Sequence, residues 1–468
     1  MIRRTLGVLA LAAALAASAG AAPTVRVWIT DPFSAEVRLA ERAGVPAGDS
    51  EEPDQILTVD PTFRDQRVGG FGASLTESSA RVIATLSASD RDALMAELFA
   101  PGEGLGLTVL RQPIGAPDFA ASVFSLDDVE AGKDDFPLSF FSLDRDRAVV
   151  LPLIRQARSL QPSLLVVASP WSPPAWMKTG GTMLGASGGV LREDCYEVYA
   201  RYLVKFVEGY GAEGVPVFAL TPQNEPAYGP PLYPGMVWDA DAEARFIRTL
   251  GPILAEASPA TRIWGWDHNY DRPEYARRLL ADPDTARWLS ATAWHDYAGS
   301  PAVLDALRQD HPDKEVWMTE GGLGSWQGTF GSRFQAGVRQ GVAALVHGSR
   351  SYVLWNLALD DHGGPVVFPN TSNEGLVTIA DGHVVGRNAS YWVLGHFTRV
   401  IAPGAQRMGL LSRSGGAEGV AFANPDGSTA VVLANPYLND QSVRIQVGPR
   451  AWDLTVPGQG AASFLETP

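Results

Sequence analysis

The stretch Leu220-Thr221-Pro222-Gln223-Asn224-Glu225-Pro226 ends an apolar run on a glutamate, and Val316-Trp317-Met318-Thr319-Glu320-Gly321-Gly322 ends another in the same way. An apolar strand that stops at a carboxylate and then turns on Pro or Gly places that charge at the rim of a sheet. Substrates bind and catalytic residues gather at this rim. Two such carboxylates suggest hydrolysis of a glycosidic bond.

Similar apolar runs of strand length recur along the chain and end in polar, Gly or Pro residues. The eight predicted strands are Val68–Leu75, Leu107–Ile114, Leu164–Pro170, Val217–Asn224, Arg262–Asp267, Ala291–Tyr297, Glu315–Thr319 and Tyr352–Ala358. Helical patterns lie between them, and eight strand–helix units joined by right-handed crossovers close into a (β/α)8 barrel. Because the span exceeds the roughly 250 residues of a plain barrel, we expect long loops at Gly115–Ser142 and Ala227–Asp241.

Both ends of the chain carry short alternating runs separated by turn signals. These runs predict strands at Val25–Ile29, Gln55–Val59, Gly419–Ala423, Ala430–Ala434, Val443–Val447, Trp452–Val456 and Ala462–Leu465. Neither end supplies enough strands to cover both faces of a sheet, so a single β-sandwich built from both ends is expected. The sequence therefore predicts an α/β protein with a signal peptide at 1–22, a catalytic barrel at 68–396, and a sandwich at 23–67 and 397–468.

The first residues predict an export signal. Arg3 and Arg4 precede an apolar stretch from Leu6 to Ala17, and small residues suited to cleavage follow at 19–22. The apolar stretch is too short to span a bilayer comfortably. We expect a secreted or periplasmic protein without integral membrane contact, exported by the general secretory or the twin-arginine route.

Charge and motif content exclude several classes of partner and chemistry. The net charge is −15, and removal of Arg3 and Arg4 with the signal makes it two units more negative, so nucleic acid is an unfavourable partner. The single cysteine, Cys195, excludes an intrachain disulfide and is expected to be a packed side chain. No His-x-x-x-His or Cys-x-x-Cys spacing occurs, and the glycines at 102–106 precede a strand instead of following one, so neither a metal nor a cofactor is expected. A serine hydrolase is disfavoured because no Gly-x-Ser-x-Gly elbow directly follows a predicted strand; the one match, at Gly185–Gly189, lies well beyond the end of the third strand.

In a (β/α)8 barrel the candidate site residues are those that close the strands at their carboxyl ends. In this chain they are Glu77, Arg111, Asp118, Trp171, Asn224, Glu225, Asp267, His295, Tyr297, Glu320, Trp355 and Asn356. Tryptophans also fall at or just beyond strand ends, where a flat ring can stack on the face of a sugar; they are Trp171, Trp176, Trp266, Trp294, Trp326 and Trp355.

Glu225 and Glu320 close the fourth and seventh strands, nearly opposite each other across the barrel mouth. Either alone could be a turn residue or a solvated rim acid, but the pair at opposed strands favours catalysis. In a retaining glycosidase the two carboxylates lie about 5–5.5 Å apart. We expect the charge of Glu320 to raise the pKa of Glu225 and keep it a proton donor, and Asn224 to bind the sugar 2-hydroxyl. Tyr297 could orient the nucleophile, while His295 could equally be a packing residue.

Several ordered motifs carry a resemblance to a known family. They are Gly70-Phe71-Gly72-Ala73-Ser74-Leu75-Thr76-Glu77, Arg111-Gln112-Pro113-Ile114, Ala168-Ser169-Pro170-Trp171-Ser172-Pro173-Pro174-Ala175-Trp176-Met177-Lys178, Gln223-Asn224-Glu225-Pro226, Thr319-Glu320-Gly321-Gly322, Trp355-Asn356-Leu357-Ala358-Leu359, Gly363-Gly364-Pro365 and Gln406-Arg407-Met408-Gly409-Leu410. In these motifs the chain resembles glycoside hydrolase family 30, which contains lysosomal glucosylceramidases and microbial endo-β-1,6-glucanases.

The resemblance implies a barrel with an attached β-sandwich and a retaining mechanism, with Glu225 as acid/base and Glu320 as nucleophile. Positions that line the sugar subsite of the family match Glu77, Trp171, Asn224, Tyr297 and Trp355, with Glu77 in place of an aspartate of the lysosomal enzymes. The predicted substrate-binding set is completed by Arg111, His295 and Asn356.

The predicted function is that of a secreted retaining glycosidase acting on β-glucosidic bonds of a glucoside, glucan or glycolipid. Two alternatives remain open at this point. One is a β-xylosidase or β-fucosidase of the same family. The other is a non-catalytic carbohydrate-binding protein on the same scaffold, which would keep the tryptophans without needing both glutamates.

Overall fold

The computed structural model describes residues 24–42, 48, 52–369 and 372–468. The predicted signal peptide at 1–22 lies outside the described residues. In the part of the chain that is described, no helix is both long enough and apolar enough to cross a membrane.

The strands, numbered along the chain, are β1 (Thr24–Thr30), β2 (Ala40–Arg42), β3 (Gln55–Arg67), β4 (Gly70–Ser74), β5 (Val109–Ile114), β6 (Leu165–Pro170), β7 (Ala219–Leu220), β8 (Arg262–Asn269), β9 (Leu289–His295), β10 (Glu315–Gly322), β11 (Ser351–Trp355), β12 (Ala358–Asp360), β13 (Val377–Ala380), β14 (His383–Arg387), β15 (Gln406–Ser412), β16 (Glu418–Ala423), β17 (Thr429–Ala434), β18 (Gln441–Val447), β19 (Arg450–Val456) and β20 (Ala461–Thr467). The α-helices are α1 (Glu77–Ala84), α2 (Ala88–Phe99), α3 (Asp144–Leu160), α4 (Tyr196–Ala212), α5 (Ala240–Ala257), α6 (Pro273–Ala281), α7 (Pro283–Ala286), α8 (Val303–Asp310), α9 (Phe330–Val346) and α10 (Ala389–Thr398). Short 3-10 turns lie at Ala175–Met177, Glu193–Cys195 and Ser325–Gln327.

Strands β4 to β11 form a closed parallel barrel in chain order, which confirms the eight predicted strands. Inward side chains fill its interior, where the rings of Trp264 and Trp317 stack with their centroids 4.6 Å apart. Strand β7 is shorter than the predicted Val217–Asn224, since Pro222 has no amide hydrogen for the ladder. The amide of Asn224 still bonds the Pro170 carbonyl at 2.7 Å, so the chain stays in line as far as the glutamate.

Long loops rise from the carboxyl ends of the strands and wall a cleft. The two predicted loops fall between β5 and α3 and between β7 and α5, and a third lies between β6 and α4. The buried Lys178 joins two of them, because its Nζ donates to the carbonyl oxygens of Met183 at 3.2 Å and Gly235 at 2.6 Å. This ammonium group therefore holds the third loop against the loop that follows β7.

The second unit is the predicted β-sandwich built from both chain ends. Its described strands pair in the order β19-β18-β3-β15-β16-β17-β20-β1-β2. The sheet folds over so that its apolar face is covered, and Trp452 of β19 packs there against Phe464 of β20 with ring centroids 5.4 Å apart. Strand β1 pairs with β20 along its whole length, from Thr24 opposite Thr467 to Thr30 opposite Ala461. The N-terminal strands are therefore integral to this unit.

Helices α9 and α10 of the barrel pack against the sandwich. At this junction the fully buried imidazole of His396 bonds Ser463 through Nδ1 and Thr30 through Nε2, both at 2.8 Å. Burial lowers the pKa of His396 to about 3, so the ring is neutral where the two units meet.

Candidate active site

A cavity of about 540 Å³ opens at the carboxyl ends of the barrel strands. Acids, amides and aromatic rings dominate its wall, as in sites that bind sugars. The lining residues are Asp118, Trp171, Asn224, Glu225, Tyr228, Pro231, Leu232, Tyr233, His268, Asn269, Tyr297, Glu320, Trp326, Trp355, Phe368 and Asn373.

Glu225 and Glu320 face each other across this cavity. Glu225 follows β7 and has a left-handed backbone, with φ of 48°. Glu320 lies in β10 at a register shift relative to β9. An oxygen of each carboxylate lies within 4.8 Å of the other and of a ring nitrogen of His295. This separation is close to the spacing of about 5–5.5 Å between the carboxyl groups of retaining glycosidases.

Arg111 and Tyr297 orient Glu320. The buried guanidinium of Arg111 donates from Nη1 to Glu320 Oε2, and the Tyr297 hydroxyl donates to Oε1 at 2.9 Å. Nη2 of Arg111 donates to Asn224 Oδ1 at 2.7 Å and to Asp267 Oδ2 at 2.8 Å. The planar guanidinium of Arg111 thus links Glu320 on the seventh barrel strand to Asn224, which follows the fourth strand, and to Asp267 near the end of the fifth.

Asp267 is the buried anion at the base of the site. Its carboxylate accepts hydrogen bonds from the hydroxyls of Ser169, Thr221 and Thr319 at 2.7 to 2.8 Å, in addition to the bond from Arg111. Although burial raises the pKa of Asp267, the charges of Arg111 and His295 and these bonds hold it well below its ordinary value. Asp267 is therefore ionised and fixes the groups around it.

His295 bridges Asp267 and Glu225. Its Nε2 lies 3.0 Å from Asp267 Oδ1, and its Nδ1 lies 3.1 Å from Glu225 Oε1. Burial lowers the pKa of His295, but the charge of Glu320 and the contacts with Asp267 and Glu225 outweigh it and raise the pKa to about 9. At neutral pH the imidazole carries two protons, and one of them points at Glu225.

The pKa of Glu225 is lowered, which differs from the sequence-based expectation. Burial acts to raise it, but the hydrogen bond and charge of His295, followed by the charges of His268 and Arg111, outweigh burial. The pKa of Glu320 is raised instead, by burial and by the charge of Glu225. The proton expected on Glu225 thus lies on the adjacent His295.

The ligand atoms of Glu225, His295 and Glu320 are close enough to contact one metal ion. Arg111 and the protonated His295 already supply positive charge to these carboxylates, and a cation placed among them would be repelled by both. The expectation of a metal-free site stays a prediction.

The predicted substrate-binding residues fall into two groups. Trp171, Asn224, Tyr297 and Trp355 line the cavity. The rings of Trp171 and Trp355 stack with centroids 5.0 Å apart, and the Arg111 guanidinium lies 4.9 Å from the Trp171 ring. Contact of these four residues with a sugar stays a prediction. Arg111 and His295 lie behind the lining and contact the carboxylates, while Asn356 is buried and does not line the cavity.

Glu77 is not among the residues that line the cavity, and its contact with the sugar stays a prediction. Glu77 begins helix α1, and its carboxylate is occupied by Arg81 at 2.9 Å, Arg145 at 2.8 Å and the amide of Ala121 at 2.9 Å. The carboxyl that lines this part of the cavity belongs to Asp118. Burial and the charge of Glu320 raise the pKa of Asp118 well above its ordinary value.

Half of the tryptophans expected to face a sugar line the cavity. Trp326 joins Trp171 and Trp355 in the lining, whereas Trp176, Trp266 and Trp294 are buried in the main core. Lining residues that were not predicted include Tyr228, Tyr233, His268 and Phe368. Tyr228, Tyr233 and Phe368 lie on loops whose path no local pattern predicts. His268 could have been predicted, because it directly follows Asp267, which was predicted to lie at a strand end.

A barrel mouth with two facing carboxylates, a buried arginine and aromatic walls defines a glycoside hydrolase, and comparisons with known proteins agree. Residues 68–401 match the glycosyl hydrolase family 30 TIM-barrel domain, and residues 404–464 match the glycosyl hydrolase family 30 beta sandwich domain. The chain therefore belongs to glycosyl hydrolase family 30.

Similar proteins carry the names of glucanases and glucosylceramidases. The chain is 31% identical over 434 residues to an endo-1,6-β-D-glucanase of Aspergillus fumigatus, with 87% of each chain covered. It is 30% identical over 436 residues to the lysosomal acid glucosylceramidase of Mus musculus, which covers 88% of this chain and 83% of the relative. A solved structure of an endo-β1,6-glucanase superposes with a TM-score of 0.85 at 26% identity, covering 94% of this chain and 98% of that one.

Proposed function

We propose that the protein is a retaining β-glycosidase that cleaves β-glucosidic bonds by double displacement. The observation that carries the proposal is the facing pair of carboxylates, with oxygens within 4.8 Å, at the base of the 540 Å³ cavity. That spacing leaves room for one anomeric centre and no separate attacking water, which is the arrangement of a retaining site.

In the first step Glu320 attacks the anomeric carbon while Glu225 protonates the leaving oxygen. The bonds from Arg111 and Tyr297 fix both Glu320 oxygens, which supports the role of nucleophile. Glu225 receives its proton from His295 across their 3.1 Å contact. The C–O bond to the leaving group breaks as the glucosyl ester on Glu320 forms, and the leaving group departs as an alcohol.

In the second step Glu225 acts as a base and takes a proton from the water that attacks the ester. Ester formation removes the charge of Glu320, and that charge is the largest influence raising the pKa of His295. Its loss lowers the pKa of His295, and Glu225 is ionised because its own proton has departed with the leaving group. The same contacts thus support an acid in the first step and a base in the second.

We propose a β-1,6-linked glucan as the substrate class. Two lines of support are the endo-1,6-β-glucanase relatives and the endo-β1,6-glucanase structure that covers nearly the whole chain. A glucosylceramide-type glycolipid is the second candidate, favoured by the similarity to named glucosylceramidases. We further propose export from the cell, on the sequence of residues 1–22.

Azide rescue tests the mechanism. Glu320→Gln should abolish activity on an aryl β-glucoside. In Glu320→Gly, azide can enter the space left by the nucleophile and yield an α-glucosyl azide. In Glu225→Gly, azide should attack the glucosyl ester and yield a β-glucosyl azide. The opposite pairing of products would reverse the assignment of the two glutamates.

A substrate panel tests the specificity. Initial rates on pustulan, laminarin, xylan and glucosylceramide should be highest on pustulan, the β-1,6-glucan. A higher rate on glucosylceramide would establish the second candidate, and turnover of xylan alone would contradict the glucoside preference. Mass spectrometry of the mature N-terminus tests export, which predicts loss of Met1.

A further inference from the structure

Two consecutive side chains of β8, Asp267 and His268, face the barrel mouth, although strand residues normally alternate between faces. The register against β9 shifts between Trp266 and His268, so two residues of β8 oppose one step of its neighbour. Trp266 and Asp267 both have left-handed backbones, with φ of 77° and 64°. This bulge lets Asp267 bond Arg111 while His268 lines the cavity.

The bulge is fixed on both sides by hydrogen bonds. The carboxyl of Glu243, buried on α5, accepts from the Trp266 amide at 3.1 Å. The amide of Glu225 donates to the Asp267 carbonyl at 3.0 Å. Since strained backbone persists only where its surroundings hold it, these contacts set the position of His268 relative to Glu225.

His268 presents an unused hydrogen-bond donor beside Glu225. The residue is 8% exposed, and burial lowers the pKa of its ring to about 4, so it is neutral at pH 7. Its Nε2 lies 3.7 Å from Glu225 Oε1, and its buried Nδ1 has no partner among the residues described. The nearby carboxylate favours the tautomer with the proton on Nε2. At 3.7 Å the contact is too long for a hydrogen bond, so Nε2–H can serve another acceptor.

Groups beside Glu225 face the leaving group, because Glu225 protonates the oxygen of the bond that breaks. Tyr228 lies on the same side: its amide donates to the Glu225 carbonyl at 2.9 Å, and its ring is 44% exposed at the cavity mouth. Such a ring can stack on a pyranose. By contrast, Trp171 and Trp355 at the closed end are almost fully buried.

We propose that His268 and Tyr228 form the subsite for the leaving-group sugar. Nε2–H of His268 donates to an oxygen of that sugar, and the Tyr228 ring covers its face. The inference rests on the proposed function and narrows the leaving group to a hydroxylated pyranose. An alkyl chain in this place would leave the imidazole N–H of His268 without an acceptor. A binding site whose buried donor is left unpaired binds such a leaving group much more weakly.

The test compares two substrates in the wild type, His268→Phe, His268→Gln and the control His383→Phe, which alters an exposed histidine of β14. The substrates are a β-1,6-linked glucose trisaccharide and 4-nitrophenyl β-D-glucoside, whose leaving group carries no sugar hydroxyls. We expect His268→Phe to lower kcat/KM about tenfold or more on the trisaccharide and less than about twofold on the aryl glucoside. His268→Gln, which keeps an N–H donor, should recover part of the loss.

Equal losses on both substrates in the His268 variants would overturn the inference, as would an unchanged kcat/KM on the trisaccharide. A shift of the acidic limb of the pH profile on both substrates would do the same, because it would assign His268 to tuning Glu225. Thermal unfolding of each variant separates loss of fold from loss of contact. A wild type inactive on both substrates would instead contradict the proposed function.

Discussion

The imidazole of His295 lies 3.1 Å from the carboxylate of Glu225, and its pKa is raised to about 9. A raised histidine pKa means that the proton is present below pH 9 and is lost above it. We expect kcat/KM of the wild type to fall as pH rises through about 9. His295→Gln should remove this limb and lower kcat/KM at pH 7 about a hundredfold, the lower range for general acid catalysis.

The pH profile of kcat/KM on an aryl β-glucoside checks this prediction, because it reports groups of the free enzyme. A 2,4-dinitrophenyl glucoside serves as the control substrate, since its leaving group needs little protonation and should show a smaller loss. An unchanged alkaline limb in His295→Gln would assign that limb to another group.

Arg111 should matter for stability as well as for activity. Its buried guanidinium bonds Glu320, Asn224 and Asp267. Arg111→Met leaves buried carboxylates without a counter-charge, and we expect a loss of about 3–5 kcal/mol in the free energy of unfolding. Urea titration measures it. The control Arg155→Met breaks an exposed pair with Glu213 and should change the free energy of unfolding by less than about 1 kcal/mol. Equal losses would refute the special role of Arg111.

Asp118 lines the cavity and Glu77 does not, so variants of these two residues test which carboxyl group contacts the sugar. Asp118→Ala should lower kcat/KM about tenfold to a hundredfold, because Asp118 lines the cavity and a lost polar contact has this size. Glu77→Gln should change kcat/KM less than threefold, roughly, while lowering the unfolding free energy by about 1–3 kcal/mol, because its carboxylate holds Arg145 and Arg81. Steady-state kinetics and urea titration measure both. The reverse order of effects would identify Glu77 as the sugar ligand.

His396 should make stability depend on pH. Its folded pKa is lowered to about 3, so below about pH 6.5 the unfolded chain binds a proton that the folded protein does not. Stability contributed by the neutral ring is thus present above pH 6.5 and is lost as pH falls. Between pH 7 and pH 5 this loss is about 2 kcal/mol. The loss of unfolding free energy between the two pH values should be smaller by this amount in His396→Gln and unchanged in His383→Gln, as measured by urea titration at pH 7 and pH 5.

The fold was predictable because the spacing of apolar residues and the polar residues that end each strand can be read from short stretches of sequence. Eight apolar runs ending in polar residues predicted the barrel, and Glu225 and Glu320 follow from the rule that strand ends meet at one rim. The length of β7 was overestimated, because Pro222 has no amide hydrogen to continue the ladder towards Asn224. This error does not affect the position of the catalytic pair.

Details that depend on distant partners were not predictable. Glu77 follows a strand end as directly as Glu320 does, but Arg145, 68 residues away, occupies its carboxylate. Asp118 was among the predicted strand-end candidates, but its local sequence does not show that it lines the cavity while Glu77 does not. The lowered pKa of Glu225 depends on His295, 70 residues away, and the position of His268 depends on a bulge that strand alternation cannot anticipate.

The pairing of β1 with β20 constrains the order in which the protein can be assembled on the ribosome. Thr24 meets Thr467, and β20 lies between β1 and β17 in the sheet. Strands β1 and β17 are synthesised before β20, so neither can pair with it until the end of the chain has been made. The barrel, by contrast, needs no strand beyond β11 to close. The catalytic half can therefore fold first, and the last seven-residue strand joins the two ends afterwards.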